Sequence, residues 1–129
     1  LIKDCKEHGV GRFVMISALG ADPNSESARI QHYLRAKGVA DGYLRSSGLD
    51  YTILAPGTLL DEKGTGRIQA AEELGFHGFL PREDLAVCII ETLRNFYTLG
   101  KTIEIVSGAD KIKDAIVEVA GGGDLPPIL

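Results

Sequence analysis

At 129 residues and 44 % apolar content, the chain is long enough for one domain with a real core. A formal net charge of −4, its signs scattered along the chain, argues against nucleic-acid binding through a basic face. No apolar run reaches the roughly 18–20 residues that span a bilayer, and Cys5 and Cys88 fit no metal spacing or redox pair. The expectation is a cytoplasmic protein with two free thiols, no metal and no membrane partner.

Residues 1–8 have helical apolar spacing at Ile2 and Cys5, and Gly9 stops the helix. Phe13-Val14-Met15-Ile16 is apolar on both faces, which predicts a buried parallel strand rather than a half-exposed one. Ser17 closes it, and residues 20–25 carry loop chemistry. A helix is predicted over 26–46, capped by Ser25 or Ser27. Gly38 and Gly42 inside it each cost about 1 kcal/mol relative to Ala, and mark either close packing or tolerated surface positions. Ser47-Gly48 ends that helix and 51–55 is the second strand. Pro56-Gly57 breaks this strand at its C-terminal end, the edge at which open α/β sheets bind ligands.

A polar loop over 59–66 follows, then a short extra strand over 67–71. Pro81 opens a helix over 81–96, with Glu83 and Asp84 at the positive end of its dipole and Leu85, Ile89, Leu93 and Phe96 as its inner face. Residues 101–106 are a third strand, 110–120 the last helix, and 124–129 a tail. Alternation of strand and helix implies right-handed crossovers and a parallel sheet in which 13–16, 51–55 and 102–106 are neighbours in sequence order. The fold class is α/β, the C-terminal half of a doubly wound, three-layer Rossmann-like domain over 1–123. Its first strand should then lack an inner neighbour and leave an exposed edge open to dimerisation or other association.

Chemistry concentrates on the second helix. On a helical wheel Ile30, Tyr33, Leu34, Lys37, Ala40 and Leu44 share about one third of the circumference. Lys37 sits inside this apolar stripe, where an unpaired ammonium is costly, so it is exposed or held. The bland alternative lets it snorkel to solvent beside Asp41. Tyr33 lies one turn before it, and a cation near a phenol favours the phenolate, which suits a general acid/base. Ser17 stands at a strand end upstream. His32 points about 100° away from Tyr33 and reads as a surface residue, while His8 and His77 have no partners at metal-ligand spacing.

Ser17, Tyr33-x-x-x-Lys37, the run Leu49-Asp50-Tyr51-Thr52-Ile53-Leu54-Ala55-Pro56-Gly57, and Pro81-Arg82-Glu83-Asp84-Leu85-Ala86 resemble the short-chain dehydrogenase/reductase superfamily. The resemblance is to its atypical NAD(P)-binding branch of epimerase/dehydratases and NAD(P)H-dependent reductases, over residues 13–120. It implies that Tyr33 exchanges a proton with the substrate oxygen and that Lys37 assists it and binds the nicotinamide ribose. Ser17 would donate a hydrogen bond to a substrate carbonyl or to Tyr33. Pro56, Gly57, Thr58 and Leu59 match the segment against the nicotinamide end of the cofactor. Arg82-Glu83-Asp84 reads as helix initiation, structural more than catalytic. NADP is preferred over NAD by resemblance alone.

The Gly-x-x-Gly-x-x-Gly strand–turn–helix that holds the pyrophosphate in this family is not in the sequence. The sequence therefore reads as the C-terminal portion of an NAD(P)-dependent oxidoreductase or epimerase/dehydratase acting on a small carbonyl or hydroxyl compound. A non-catalytic, NADP-binding redox regulator is the alternative. The isolated chain is expected to be inactive.

Overall fold

The computed structural model describes residues 1–9, 11–20 and 31–121. Over these the chain runs α1 (Ile2–Glu7), β1 (Phe13–Ile16), α2 (Gln31–Arg45), β2 (Tyr51–Pro56), β3 (Thr58–Leu60), β4 (Arg67–Ala71), β5 (Phe79–Pro81), α3 (Arg82–Leu93), a 3-10 turn (Phe96–Thr98), β6 (Thr102–Ser107), β7 (Asp110–Lys111) and α4 (Ile112–Val119). The start of the predicted second helix with its Ser25 or Ser27 cap, and the tail over 124–129, lie outside the described residues.

The main sheet has the order β1-β2-β6-β4-β7. Its first three strands are parallel and adjacent, Phe13 opposite Tyr51 and Leu54 opposite Ile103, in the order that the strand–helix alternation implies. The predicted extra strand at 67–71 is real, but it closes the far side of the sheet antiparallel to β6. β6 thus lies between β2, its parallel partner, and β4, its antiparallel one. The architecture is therefore mixed α/β with a mostly parallel sheet. Among the described residues β1 pairs only with β2, so its outer side is an edge.

Alternation along the strands sends successive side chains to opposite faces. Leu54, Ile103 and Ile105 meet Leu85, Cys88, Ile112, Ala115 and Ile116 of α3 and α4 in one apolar cluster. Ile53 and Ala55 point the other way, where α2 contacts β2 and contributes the buried Leu34 and Leu44. The inner face of α3 differs from the one expected. Leu85, Cys88 and Thr92 are buried, whereas Leu93 and Phe96 are half exposed. The helix stops at Leu93 because Asn95 turns its side chain onto the Tyr97 N–H and starts the 3-10 turn, a local bond that competes with the helix. The last helix likewise begins two residues late, since Asp110 and Lys111 pair with β4.

At the N-terminal end of the strands Arg12 ties three elements together. Its guanidinium donates to Thr52 Oγ1, Thr92 O and Thr98 Oγ1 at 3.2, 3.0 and 2.6 Å. Burial lowers its pKa, and Asp50 partly opposes that shift.

Burial and the nearby Asp84 carboxylate push the Cys88 thiol up to about 12. Burial disfavours the thiolate, so at pH 8 the reactive form is roughly a thousandfold rarer than for a free thiol. A thiol reagent is thus expected to modify Cys5 in the folded chain and Cys88 only on unfolding. Equal rates at both cysteines would contradict this packing.

Candidate active site

Backbone hydrogen bonds carry β1 and β2 beyond their formal ends. Ser17 N donates to Leu54 O and Leu19 N to Pro56 O, both at 2.8 Å, which holds residues 17–19 beside the last turn of β2. Gly57 N then bonds Ile105 O at 2.9 Å, and Thr58 N bonds Gly78 O at 3.0 Å. The chain passes so close at this crossing that a Cβ on Gly57 would sit 2.2 Å from Gly78 O. Glycine at 57 is thus demanded first by the neighbouring backbone, a reason the sequence alone does not give.

From Thr58 the chain forms β3, which pairs in parallel with β5 as a small second sheet. This pairing lowers Gly75–Pro81 chemistry onto the strand edge. Thr58 Oγ1 and His77 Nε2 are hydrogen-bonded at 3.0 Å. Arg82 stands at the start of α3 in an ion pair with Asp61. A cavity of about 310 Å³ results at the C-terminal ends of β1 and β2, lined by Ser17, Ala18, Leu19, Leu34, Pro56, Gly57, Thr58, Leu59, His77 and Arg82.

Five of the seven residues singled out from the sequence, Ser17, Pro56, Gly57, Thr58 and Leu59, line this one cavity. Lys37 is half buried, and its ammonium donates to Ile16 O at 2.9 Å, directly beneath the strand end. The lysine is therefore held. Tyr33 belongs to α2 by its backbone, one turn before Lys37, and its side chain lies outside the described residues, as does that of His32.

One contact was not foreseen. The Ser17 hydroxyl, read from the sequence as a donor toward the substrate or Tyr33, donates in this structure to Asp41 Oδ2 at 2.6 Å. Asp41, which the sequence offered only as a neighbour of Lys37, is 3 % exposed. The buried stripe of α2 runs through Leu34, Gly38, Asp41 and Leu44, with Lys37 at its margin, rotated slightly from the wheel drawn on apolar residues. Gly38 is buried within it, whereas a Cβ on Gly42 would meet nothing within 4 Å. His77 was missed as a site residue, and Arg82, read from its motif as helix initiation, lines the cavity as well. A histidine between Gly75 and Gly78, just before a strand-and-proline start, is the only trace of His77 in the sequence.

The Arg-Glu-Asp segment does more than begin a helix. Asp84, 2 % exposed, accepts from Thr65 N, Gly66 N and Thr65 Oγ1, while Glu83 accepts from Gly64 N. Two residues in the first turn of α3 thus hold the loop that leads into β4.

A strand-edge cavity of this kind, beside a held lysine, is where a dinucleotide's reacting end binds in open α/β sheets. The model of a family described as NAD(P)H-binding matches residues 1–96. The chain belongs to this NAD(P)H-binding family. It is 38 % identical over 109 residues to the uncharacterized sugar epimerase YhfK of Bacillus subtilis, covering 84 % of this chain and 50 % of that protein. Among solved structures it resembles a candidate NAD-dependent epimerase/dehydratase from Bacillus halodurans, with a TM-score of 0.86, 34 % identity, and coverage of 91 % of this chain and 56 % of that one. ChuY, an anaerobillin reductase from Escherichia coli O157:H7, matches with a TM-score of 0.75 and 30 % identity, covering 85 % and 56 %. The chain spans about half the length of these relatives. Nothing in them favours the regulator alternative. Among the described residues no helix is long and apolar enough to cross a membrane.

The residues present fit the nicotinamide end of such a cofactor. A cavity of about 310 Å³ is at the small end of ligand pockets, room for a ring and its ribose rather than a whole dinucleotide. Thr58 supplies a hydroxyl and Pro56 and Gly57 a close wall, while the Lys37 ammonium stands outside this lining, at the Ile16 carbonyl that ends β1.

Proposed function

We propose that the chain is the C-terminal part of an NAD(P)-dependent oxidoreductase or epimerase/dehydratase-like enzyme acting on a small carbonyl or hydroxyl compound. The observation that carries this reading is convergence. The segment after β1, Lys37 of α2 and the segment after β2 all reach one strand edge in a chain of NAD(P)H-binding family. NADP is our preferred cofactor and the cytoplasm our assigned compartment, which suits two free thiols. In the working protein the open edge of β1 is covered, by further chain or by a partner, because an unpaired edge invites association.

The roles follow from chemistry. When bound, the nicotinamide ring supplies or accepts the hydride at the substrate carbon. Lys37, fixed to Ile16 O, holds its ammonium toward the ribose hydroxyls. Tyr33, one turn earlier on α2, gives or takes the proton of the substrate oxygen. Ser17 contacts that oxygen from the strand end, while Pro56, Gly57 and Leu59 wall the ring and Thr58, oriented by His77, meets its polar substituent. The test is NADPH oxidation by the full-length protein against a panel of small aldehydes and ketones, with Ser17→Ala, Tyr33→Phe and Lys37→Met beside it. Turnover that all three variants leave intact would overturn the assignment.

The 129-residue chain alone is expected to bind NADPH weakly, since the pyrophosphate-binding turn is not in it. Calorimetric titration checks this, and micromolar affinity for the chain alone would contradict it.

A further inference from the structure

We infer that Asp41 sets Ser17 as a hydrogen-bond acceptor toward the cavity, so that the site selects a ligand hydroxyl over a carbonyl oxygen. This rests on Ser17 meeting the substrate oxygen at the cavity's strand end, as proposed above. A serine hydroxyl has one proton and two lone pairs, and a carboxylate only accepts. Ser17 Oγ and Asp41 Oδ2 lie 2.6 Å apart, within the short range of a charge-assisted O–H···O⁻ bond. The Ser17 proton is therefore committed to Asp41, and lone pairs are what remains for the cavity that Ser17 lines. The backbone cannot swing to relieve this, because Ser17 N is bonded to Leu54 O and the preceding carbonyl, Ile16 O, accepts from Lys37.

Stability does not account for the pair. Asp41 and Ser17 are each 3 % exposed, and Asp41 Oδ1 has no hydrogen-bond partner among the described residues. A buried carboxylate with one oxygen unsatisfied is costly, and an apolar residue there would pack at no such cost. Buried unsatisfied groups call for a reason other than packing. Here the reason is orientation: Asp41 is a positioning residue that acts through Ser17. A ligand hydroxyl gives its proton to the Ser17 oxygen, whereas a carbonyl oxygen would set lone pair against lone pair. Within the proposed reaction the substrate class is a secondary alcohol, held more tightly than the ketone it interconverts with.

The experiment titrates cyclohexanol and cyclohexanone separately into the ¹⁵N-labelled full chain and reads the Ser17 and Gly57 amide shifts. Cyclohexanol should bind about five- to tenfold more tightly, the worth of one hydrogen bond kept rather than opposed. Asp41→Leu releases the Ser17 proton and should bring the two affinities within about twofold of each other, which a merely structural residue would not do. If Asp41→Leu does not fold, Ser17→Ala carries the same test, with equal affinities expected. Equal binding to the unaltered chain, selectivity that survives either variant, or no shift at Ser17 with either probe overturns the inference. Millimolar NADPH on the same sample separates the two readings. Alcohol selectivity without NADPH shifts at Ser17, Gly57 and Thr58 defeats the cofactor assignment alone, and NADPH shifts without alcohol selectivity defeat this inference alone.

Discussion

Exchange of Tyr33 for Phe in the full-length enzyme should lower turnover by about 10²–10⁴-fold, the usual contribution of a positioned acid or base. That corresponds to roughly 3–5 kcal/mol of transition-state stabilisation. Cofactor affinity should stay nearly constant, because in the proposed mechanism the phenol acts on the substrate oxygen and the ribose contacts belong to the ammonium. Lys37→Met should instead weaken both. It removes the donor that bonds Ile16 O beneath the strand end, so the helix loses its tie to β1 as well as its charge. Steady-state kinetics with cofactor titration on both variants gives the split. A Tyr33→Phe enzyme at full rate would make Tyr33 a packing residue and leave proton transfer without a donor.

The second large effect is on stability. Asp84→Ala should cost about 2–4 kcal/mol, because the lost carboxylate leaves the Thr65 and Gly66 backbone N–H groups without their acceptor and removes one partner of the Thr65 hydroxyl. For a chain of this size that is a fall of roughly 10 °C in Tm. The loss should spread to β4 and α4, since Gly66 also accepts from Ile112 N. Urea unfolding with hydrogen exchange measures both the size and the spread. Asp84→Asn keeps one acceptor and should cost about half as much. A stability change below about 0.5 kcal/mol for Asp84→Ala would make the acid a surface-like residue and refute the tether.

The strands were legible because each is a short run with apolar residues on both faces, and Phe13–Ile16 and Tyr51–Pro56 can be nothing else in so compact a chain. The site was half legible for the same reason: residues that follow a parallel strand's C-terminal end must lie at the ligand edge, which places Ser17 and Pro56 to Leu59 without any structure. Asp41 was not. In the sequence it is an acid on an amphipathic helix, one turn from a lysine, and its hydrogen-bond partner is Ser17, 24 residues earlier. His77 was hidden because the two strands beside it, Thr58–Leu60 and Phe79–Pro81, are three residues each, too short to show a period, while Arg82 was visible only as a helix start. The early end of α3 hinged on a single Asn95 side chain, a competitor that helical spacing does not register.

The proposed mechanism puts the nicotinamide end of the cofactor at the strand edge between Ser17 and Thr58. A crystal structure of the full-length protein with NADP⁺ tests it most directly. The nicotinamide ring should lie against Pro56 and Gly57, with its ribose hydroxyls within hydrogen-bond reach of Lys37 Nζ. A ring bound away from this edge, or a ribose out of reach of Lys37, would contradict it.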